Sequence, residues 1–322
     1  MEKNFQKGKY FVVGCARSGT TLMQKLISSH SYVVGVNETG FLQKINPRER
    51  EIAKIVSKIA LDEREYKIAF NYLQKVFGKK AKKDISFYQI FDAYCQAHQI
   101  FFNKPAYVEK TPFHSFFIKD LLSKIPDSKI IVVLRDPRAI IASRLVSKKP
   151  FSRGRKWHLP RFIQVFLNLS EILFTYQEFE KWYQSKHPRV FFVKYETLLR
   201  NPKETMEKVF DFLGLPFEPV YENINPLDMR LEIKKMREIM NSSYQREKTS
   251  KISLKPLERW REVLTSSEDK FIKKWFSQIE LKLLKDFYPE ILETKRSFFE
   301  KIFLKCFLKL DRFLFLKKNK RK

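Results

Sequence analysis

Apolar residues along this chain fall into short runs set between longer helical patterns. The runs cover residues 10–13, 32–36, 106–108, 129–134 and 190–193 and are rich in β-branched and aromatic side chains, the composition that favours strands. Strands alternating with helices predict an α/β fold with a mostly parallel sheet covered by helices on both faces. Residues 48–103 carry charged helical patterns and no strand pattern, so they read as an insertion over the sheet edge or the cleft. A second helical block spans residues 144–185, with Trp157, Trp182 and many Phe. Residues 202–214 predict a helix opened by Pro202 and stopped by Gly214. Weak periodicity and many charges over residues 222–255 predict a flexible loop, and no internal repeat is visible.

The end of the chain differs. From Lys295 onward, Phe299, Ile302, Phe303, Cys306, Leu310, Phe313 and Leu314 fall on one helical face, with Lys301, Lys305, Lys309 and Arg312 elsewhere. Eleven Lys or Arg stand against two acids, Glu300 and Asp311, in this segment. That is the pattern of a basic amphipathic helix at an anionic membrane surface. A helix docked on its own domain would show the same face, and both readings stay open here. The division expected is therefore a domain over residues 1–294 and a basic amphipathic tail over residues 295–322.

Composition narrows the classes. At 322 residues and 43% hydrophobic, with 31 Phe and 13 Tyr, the chain can bury a large core and is not of the disordered type. A formal charge of +28 favours polyanionic partners, whether nucleotide, nucleic acid or membrane. Cys15, Cys95 and Cys306 are widely spaced and odd in number, so they form neither a disulfide framework nor a metal-ligand cluster. A reducing compartment suits them. The first strand begins near Tyr10, leaving no room for a signal peptide before it, and no uninterrupted apolar run reaches 18 residues. The expectation is a cytoplasmic protein, with peripheral membrane attachment through the tail.

Candidate chemistry begins at residues 10–21. An apolar strand runs into Gly14-Cys-Ala-Arg17-Ser18-Gly19-Thr20-Thr21 and then into an amphipathic helix. Helix N-termini present unpaired N–H groups and a positive dipole end, which suits an anion. The spacing from Gly14 to Gly19 is that of a Walker A loop, but Thr20 stands where the lysine belongs, and the cation is Arg17 inside the loop. Such a loop suits a phosphate-like group other than the β/γ-phosphates of ATP. A second segment, residues 130–143, carries an apolar strand ending in Arg135, then Asp136, then Pro137 at a first helical position, with Ser143 two turns along. An arginine can grip a phosphate bidentately and Ser143 can donate to it. In a kinase or ATPase that strand usually ends in an Asp that holds Mg²⁺. Here Arg135 precedes Asp136, and no metal site is expected.

Together the two segments resemble the 5′-phosphosulfate loop and the 3′-phosphate motif of sulfotransferases that use 3′-phosphoadenylyl sulfate (PAPS), over about residues 8–290. The resemblance implies a P-loop-type parallel sheet flanked by helices, with helical insertions and a C-terminal amphipathic helix. It implies that Arg17, Ser18, Gly19, Thr20 and Thr21 hold the 5′-phosphosulfate, with Arg17 also a catalytic residue that receives the charge building on the departing phosphate, and that Arg135 and Ser143 hold the 3′-phosphate. Tyr195, in a segment like the family's strand–turn–helix after that motif, would lie near the nucleotide. Ser243 and Arg259 belong to a segment like the one that closes over it. Glu38 matches in offset the catalytic glutamate of tyrosylprotein sulfotransferases, as general base towards the acceptor hydroxyl. Lys110, in Val108-Glu-Lys110-Thr-Pro112, resembles a lysine of protein and carbohydrate sulfotransferases that stabilises charge on the departing phosphate or the sulfuryl oxygens. The cytosolic small-molecule enzymes use a histidine as base, and His30 and His114 are the rivals for that role.

The function expected is metal-free sulfuryl transfer from PAPS, as co-substrate, to a hydroxyl of a protein tyrosine, carbohydrate, lipid or small alcohol. No nucleic-acid partner is expected. The alternatives are an ATP-dependent phosphotransferase of related fold and a non-catalytic basic module for membranes or nucleic acid.

Overall fold

The apolar runs form strands close to their expected bounds. In the computed structural model, which describes residues 8–147, 160–220 and 254–292, the strands are β1 (Gly8–Gly14), β2 (Val33–Val36), β3 (Ala106–Lys110), β4 (Ser128–Leu134) and β5 (Val190–Lys194). All pair in parallel, in the order β2-β3-β1-β4-β5. Every strand thus points its C-terminal end to one edge of the sheet, and in such sheets that edge is where ligands bind.

Side chains alternate strictly across this sheet, as the period of two requires. Phe11 and Val13 of β1, with Ile130, Val132 and Leu134 of β4, enter one core. Tyr10 and Val12, with Ile131 and Val133, enter the other. The second core is closed by α1 (Thr20–Ser28), α9 (Tyr195–Arg200) and α10 (Pro202–Leu213) through Leu22, Met23, Leu26, Leu198, Val209 and Phe210. The first core is closed by the helical blocks: α3 (Ile52–Ile59), α4 (Glu63–Phe77) and α5 (Phe87–Phe101) from residues 48–103, and α8 (Arg161–Ser185) from residues 144–185.

The first insertion packs on one face of the sheet through α5, which meets the edge strand β2 and its neighbour β3. Phe91 of α5 meets Phe11 at 5.8 Å and stacks on Phe41 at 4.8 Å between ring centres, which makes α5 a layer of the core. Short α2 (Phe41–Lys44) links β2 to that layer. Between β3 and β4 lie a 3₁₀ turn, Pro112–Phe117, and α6 (Ile118–Lys124). Helix α7 (Pro137–Leu145) follows β4, and α11 (Trp260–Val263), α12 (Ser266–Ser277) and α13 (Lys282–Phe287) complete the fold.

Local signals explain where the helices start and stop. Asp62 caps α4 and Ser86 forms a capping box with Gln89 on α5, each satisfying N–H groups that the first turn leaves unpaired. Pro202 opens α10 as expected, and Gly214 ends it in the left-handed region at φ 76°. There the Leu215 N–H bonds the Phe210 carbonyl at 2.9 Å, a Schellman closure that favours glycine. Among the described residues no helix is long and apolar enough to cross a membrane. Apart from residues 254 and 255, the loop expected over residues 222–255 lies outside the described residues. So do Ser243 and the tail from residue 295.

Candidate active site

The loop after β1 is shaped for an anion. Ser18 N–H bonds the Cys15 carbonyl at 3.0 Å and tightens the turn, with Arg17 at φ 80° and Gly19 at φ 100°. Gly14 must lack a side chain, because a Cβ there would come within 2.8 Å of the Val133 carbonyl oxygen. At Gly19 a Cβ would collide with the Tyr195 ring. Gly19 is also the N-cap of α1 and has no side chain with which to cap it, and the first turn carries no acid. The earliest N–H groups of α1 are thereby left for a ligand. Ser18 Oγ is fully buried and has no hydrogen-bond partner. An orphaned buried hydroxyl calls for an explanation, and a loop-bound oxyanion supplies one. Thr20 is buried and Thr21 half-buried at the head of the same helix. The loop thiol takes no part, since burial pushes Cys15 up to about 12, with Arg144 opposing that shift.

The second anion motif lies against the first. Arg135 Nη1 donates to the Arg17 carbonyl at 2.8 Å and Nη2 to the Pro256 carbonyl at 3.0 Å. Its guanidinium lies 4.6 Å from the centre of the Tyr195 ring. Arg17 Nε donates to Ser143 Oγ at 3.1 Å, so Arg17 spans the two expected anion sites. Arg135, Ser143, Arg259 and Trp260 line one pocket, with Ala142 and Val146 among its apolar walls. Of the expected nucleotide-binding residues, Arg17, Ser18, Gly19, Thr20, Thr21, Arg135, Ser143, Tyr195 and Arg259 thus gather at the loop-bearing edge.

Several neighbours that hold this arrangement had no sequence motif. The Tyr176 hydroxyl, from α8, accepts the Arg135 N–H at 3.2 Å and also donates to the Arg135 carbonyl. Glu196 accepts from the Asp136 N–H at 2.9 Å and the Tyr288 hydroxyl at 2.8 Å. Burial raises its carboxyl above the usual range despite those bonds. Burial likewise raises the Tyr195 phenol, with Arg135 and Arg17 opposing. Asp136, the acid that follows Arg135 at the end of β4, is committed to the protein. It caps α7 through the Arg138 N–H at 2.8 Å and accepts Arg138 Nη2 at 2.7 Å. Arg138 in turn lies 4.0 Å over the Trp260 ring.

Glu38 and Lys110 meet one strand over. Lys110 ends β3 in register with Val12 of β1, and Glu38 follows the end of β2. Lys110 Nζ donates to Glu38 Oε2. The lysine side chain is 3% exposed and the carboxylate 50%, so the carboxylate faces solvent from a buried cationic base.

The rival histidines are engaged elsewhere. His30 lies past the far end of α1, its Nδ1 accepting from the Tyr32 N–H at 3.1 Å and its Nε2 2.9 Å from the Pro216 carbonyl. His114 is buried between Glu109 Oε2 at 3.1 Å and the Leu42 N–H at 3.4 Å. Glu109 itself is wholly buried. Glu109 directly follows the apolar run 106–108 in β3.

Known proteins agree with this architecture. The sulfotransferase family model matches residues 10–219. A protein of Aquifex aeolicus described as uncharacterized is 24% identical over 79% of this chain and 30% of its own length. Omega-hydroxy-beta-dihydromenaquinone-9 sulfotransferase Stf3 of Mycobacterium tuberculosis is 26% identical over 54% of this chain and 36% of its own length. The chain thus spans about a third of the length of these curated relatives. Among solved structures, the sulfotransferase domain of the Synechococcus PCC 7002 olefin synthase shares the fold. It has a TM-score of 0.52 and 15% identity, over 87% of this chain and 99% of that domain. With the family match running from β1 through α10 and both anion motifs inside it, the chain belongs to the sulfotransferase family.

Proposed function

We propose that this chain moves a sulfuryl group from PAPS to an acceptor hydroxyl. The observation that carries the reading is the meeting of two anion sites, the glycine-bounded loop and the Arg135–Ser143 pair, bridged by Arg17. A nucleotide with a 5′-phosphosulfate and a 3′-phosphate needs both. Bound there, PAPS supplies an activated sulfuryl group whose S–O bond to the 5′-phosphate breaks as the acceptor oxygen bonds to sulfur.

The protein's own groups divide the work. The α1 N–H groups, Ser18 and Thr20 hold the phosphosulfate end, where negative charge builds as the bisphosphate leaves. Donors that are already oriented stabilise such charge at no reorganisation cost. Lys110 serves that charge as well and fixes the Glu38 carboxylate. Glu38 takes the acceptor's proton, provided the hydroxyl comes within hydrogen-bond reach. Arg135 and Ser143 grip the 3′-phosphate, and the Tyr195 ring supports Arg135 from behind.

Nucleotide choice tests the reading. Arg135→Ala is expected to weaken adenosine 3′,5′-bisphosphate binding by ~1.5–3 kcal/mol, the scale of a charge-assisted hydrogen bond. Adenosine 5′-phosphosulfate, which lacks the 3′-phosphate, should lose little. Equal losses by calorimetry would remove Arg135 from that role. Metal chelation gives a separate check. Because Asp136 is spent on Arg138 and the α7 cap, transfer is expected to persist in EDTA. Abolition by EDTA with rescue by Mg²⁺ would point to phosphoryl chemistry.

A further inference from the structure

We infer that Glu109 is a positioning residue for transfer, a buried carboxylate that sets Glu38 and Lys110 in place through three relays. The inference rests on the sulfuryl-transfer reading only in what Glu38 and Lys110 are positioned for. Glu109 is 0% exposed and sits in β3 directly before Lys110. Its Oε1 accepts from Thr39 Oγ1 at 2.9 Å and Thr111 Oγ1 at 2.6 Å, and its Oε2 from His114 Nδ1 at 3.1 Å.

Each donor passes the order on to the turn that carries Glu38. Thr111 Oγ1 accepts the Gly40 N–H at 3.1 Å, Thr39 Oγ1 the Phe41 N–H at 3.1 Å, and His114 Nε2 the Leu42 N–H at 3.4 Å. These three consecutive amides head α2, just after Glu38. The network therefore grips the chain on the C-terminal side of Glu38 and on both sides of Lys110.

Proton bookkeeping shows why the centre must be an anion. A hydroxyl has one proton, and an imidazole that accepts at Nε2 keeps its proton at Nδ1. With three amides donating inward, Thr39, Thr111 and His114 must all donate to a single side chain that only accepts. An ionised carboxylate does so. Burial works to raise the Glu109 carboxyl, and the hydrogen bonds from His114 and the two threonine hydroxyls act to lower it. A glutamine of the same shape would bring its own N–H donors, and one relay would have to turn round and release its amide. Burying a charge is costly even when it is paired, and an apolar residue would satisfy the sheet core as well. The network's return is the fixed geometry of the Glu38–Lys110 pair.

The test uses full-length protein in which lysine side chains are followed by NMR. Glu38→Gln identifies the Lys110 ε-methylene signal, since it removes that lysine's carboxylate partner. Glu109→Gln is expected to move the same signal in the same direction. It should also lower kcat by roughly 10²-fold, the scale of a misplaced catalytic group, with bisphosphate affinity and binding stoichiometry unchanged. In a Glu38→Gln background the further loss from Glu109→Gln should be small, because the residue acts through the bonded Glu38–Lys110 pair, which that variant has already broken. Thr111→Val, which keeps the shape and cuts one relay, should give a smaller effect of the same kind and serves if Glu109→Gln does not fold. A Lys110 signal that stays at its wild-type position in both variants overturns the inference, as does a kcat loss that multiplies in full with that of Glu38→Gln. Wild-type protein that binds the bisphosphate but transfers no sulfuryl group would instead count against the transfer reading, with the NMR result still deciding the role of Glu109.

Discussion

Replacing Glu38 with Gln is expected to slow turnover by roughly 10²–10⁴, the usual range for loss of a general base, while nucleotide affinity stays near wild type. The reason is local. Gln keeps the shape and the hydrogen-bond reach but cannot take the acceptor's proton. Its affinity should be spared because Arg17, Arg135 and Ser143, expected to hold nucleotide, bond one another, while Glu38 is bonded by Lys110. Single-turnover kinetics with saturating PAPS would measure the effect. Normal turnover would remove Glu38 from the chemistry. The histidines would not step in easily, since His114 has both ring nitrogens engaged in the buried network and His30 sits at the far end of α1.

Lys110→Met should cost on the order of 10²–10³ in kcat, the loss seen when one preorganised donor to developing charge is removed. Methionine retains most of the apolar stem in a site that is only 3% exposed, so the loss should be of charge and not of packing. Because Lys110 and Glu38 bond each other, their effects should not add. Groups in direct contact show coupling energies of about 0.5–3 kcal/mol. A double variant with the full product of the two single losses would mean that the pair does not work as a unit. A Lys110→Met enzyme with weaker bisphosphate binding and unchanged kcat would assign the lysine to nucleotide holding instead.

Residue order along the chain carried the fold a long way. Parallel strands buried on both faces must be short, nearly continuous apolar runs, and the five runs are all strands. The Pro202 start and Gly214 stop depend on φ restrictions that belong to single residues, so they were legible too. The loop at Gly14–Gly19 was legible for the same reason, since its glycines answer to backbone geometry and to the close approach of neighbours. For residues 48–103 the helices were legible, but the depth of their packing was not. Their charged helical pattern without strands read as an insertion over the sheet edge or the cleft, and it did not reveal that Ile52, Ile55, Ile90, Phe91 and Tyr94 are buried in the core. Helical periodicity reports that a face is apolar but not what it packs against.

Legible in residue order, then, are the α/β class, the strand positions, the glycine-bounded loop after β1 and the arginine at the end of β4. These are set by period, spacing and single-residue stereochemistry, all local along the chain. Tertiary structure alone decided the rest. It joined Glu38 to Lys110 across 72 residues and Arg17 to Ser143 across 126, because parallel strands bring the ends of distant segments to one edge. It also made Glu109, an acid just after an apolar run, the centre of three relays. The strength of a buried carboxylate depends on which donors surround it, and those donors come from elements that meet only when the chain is folded.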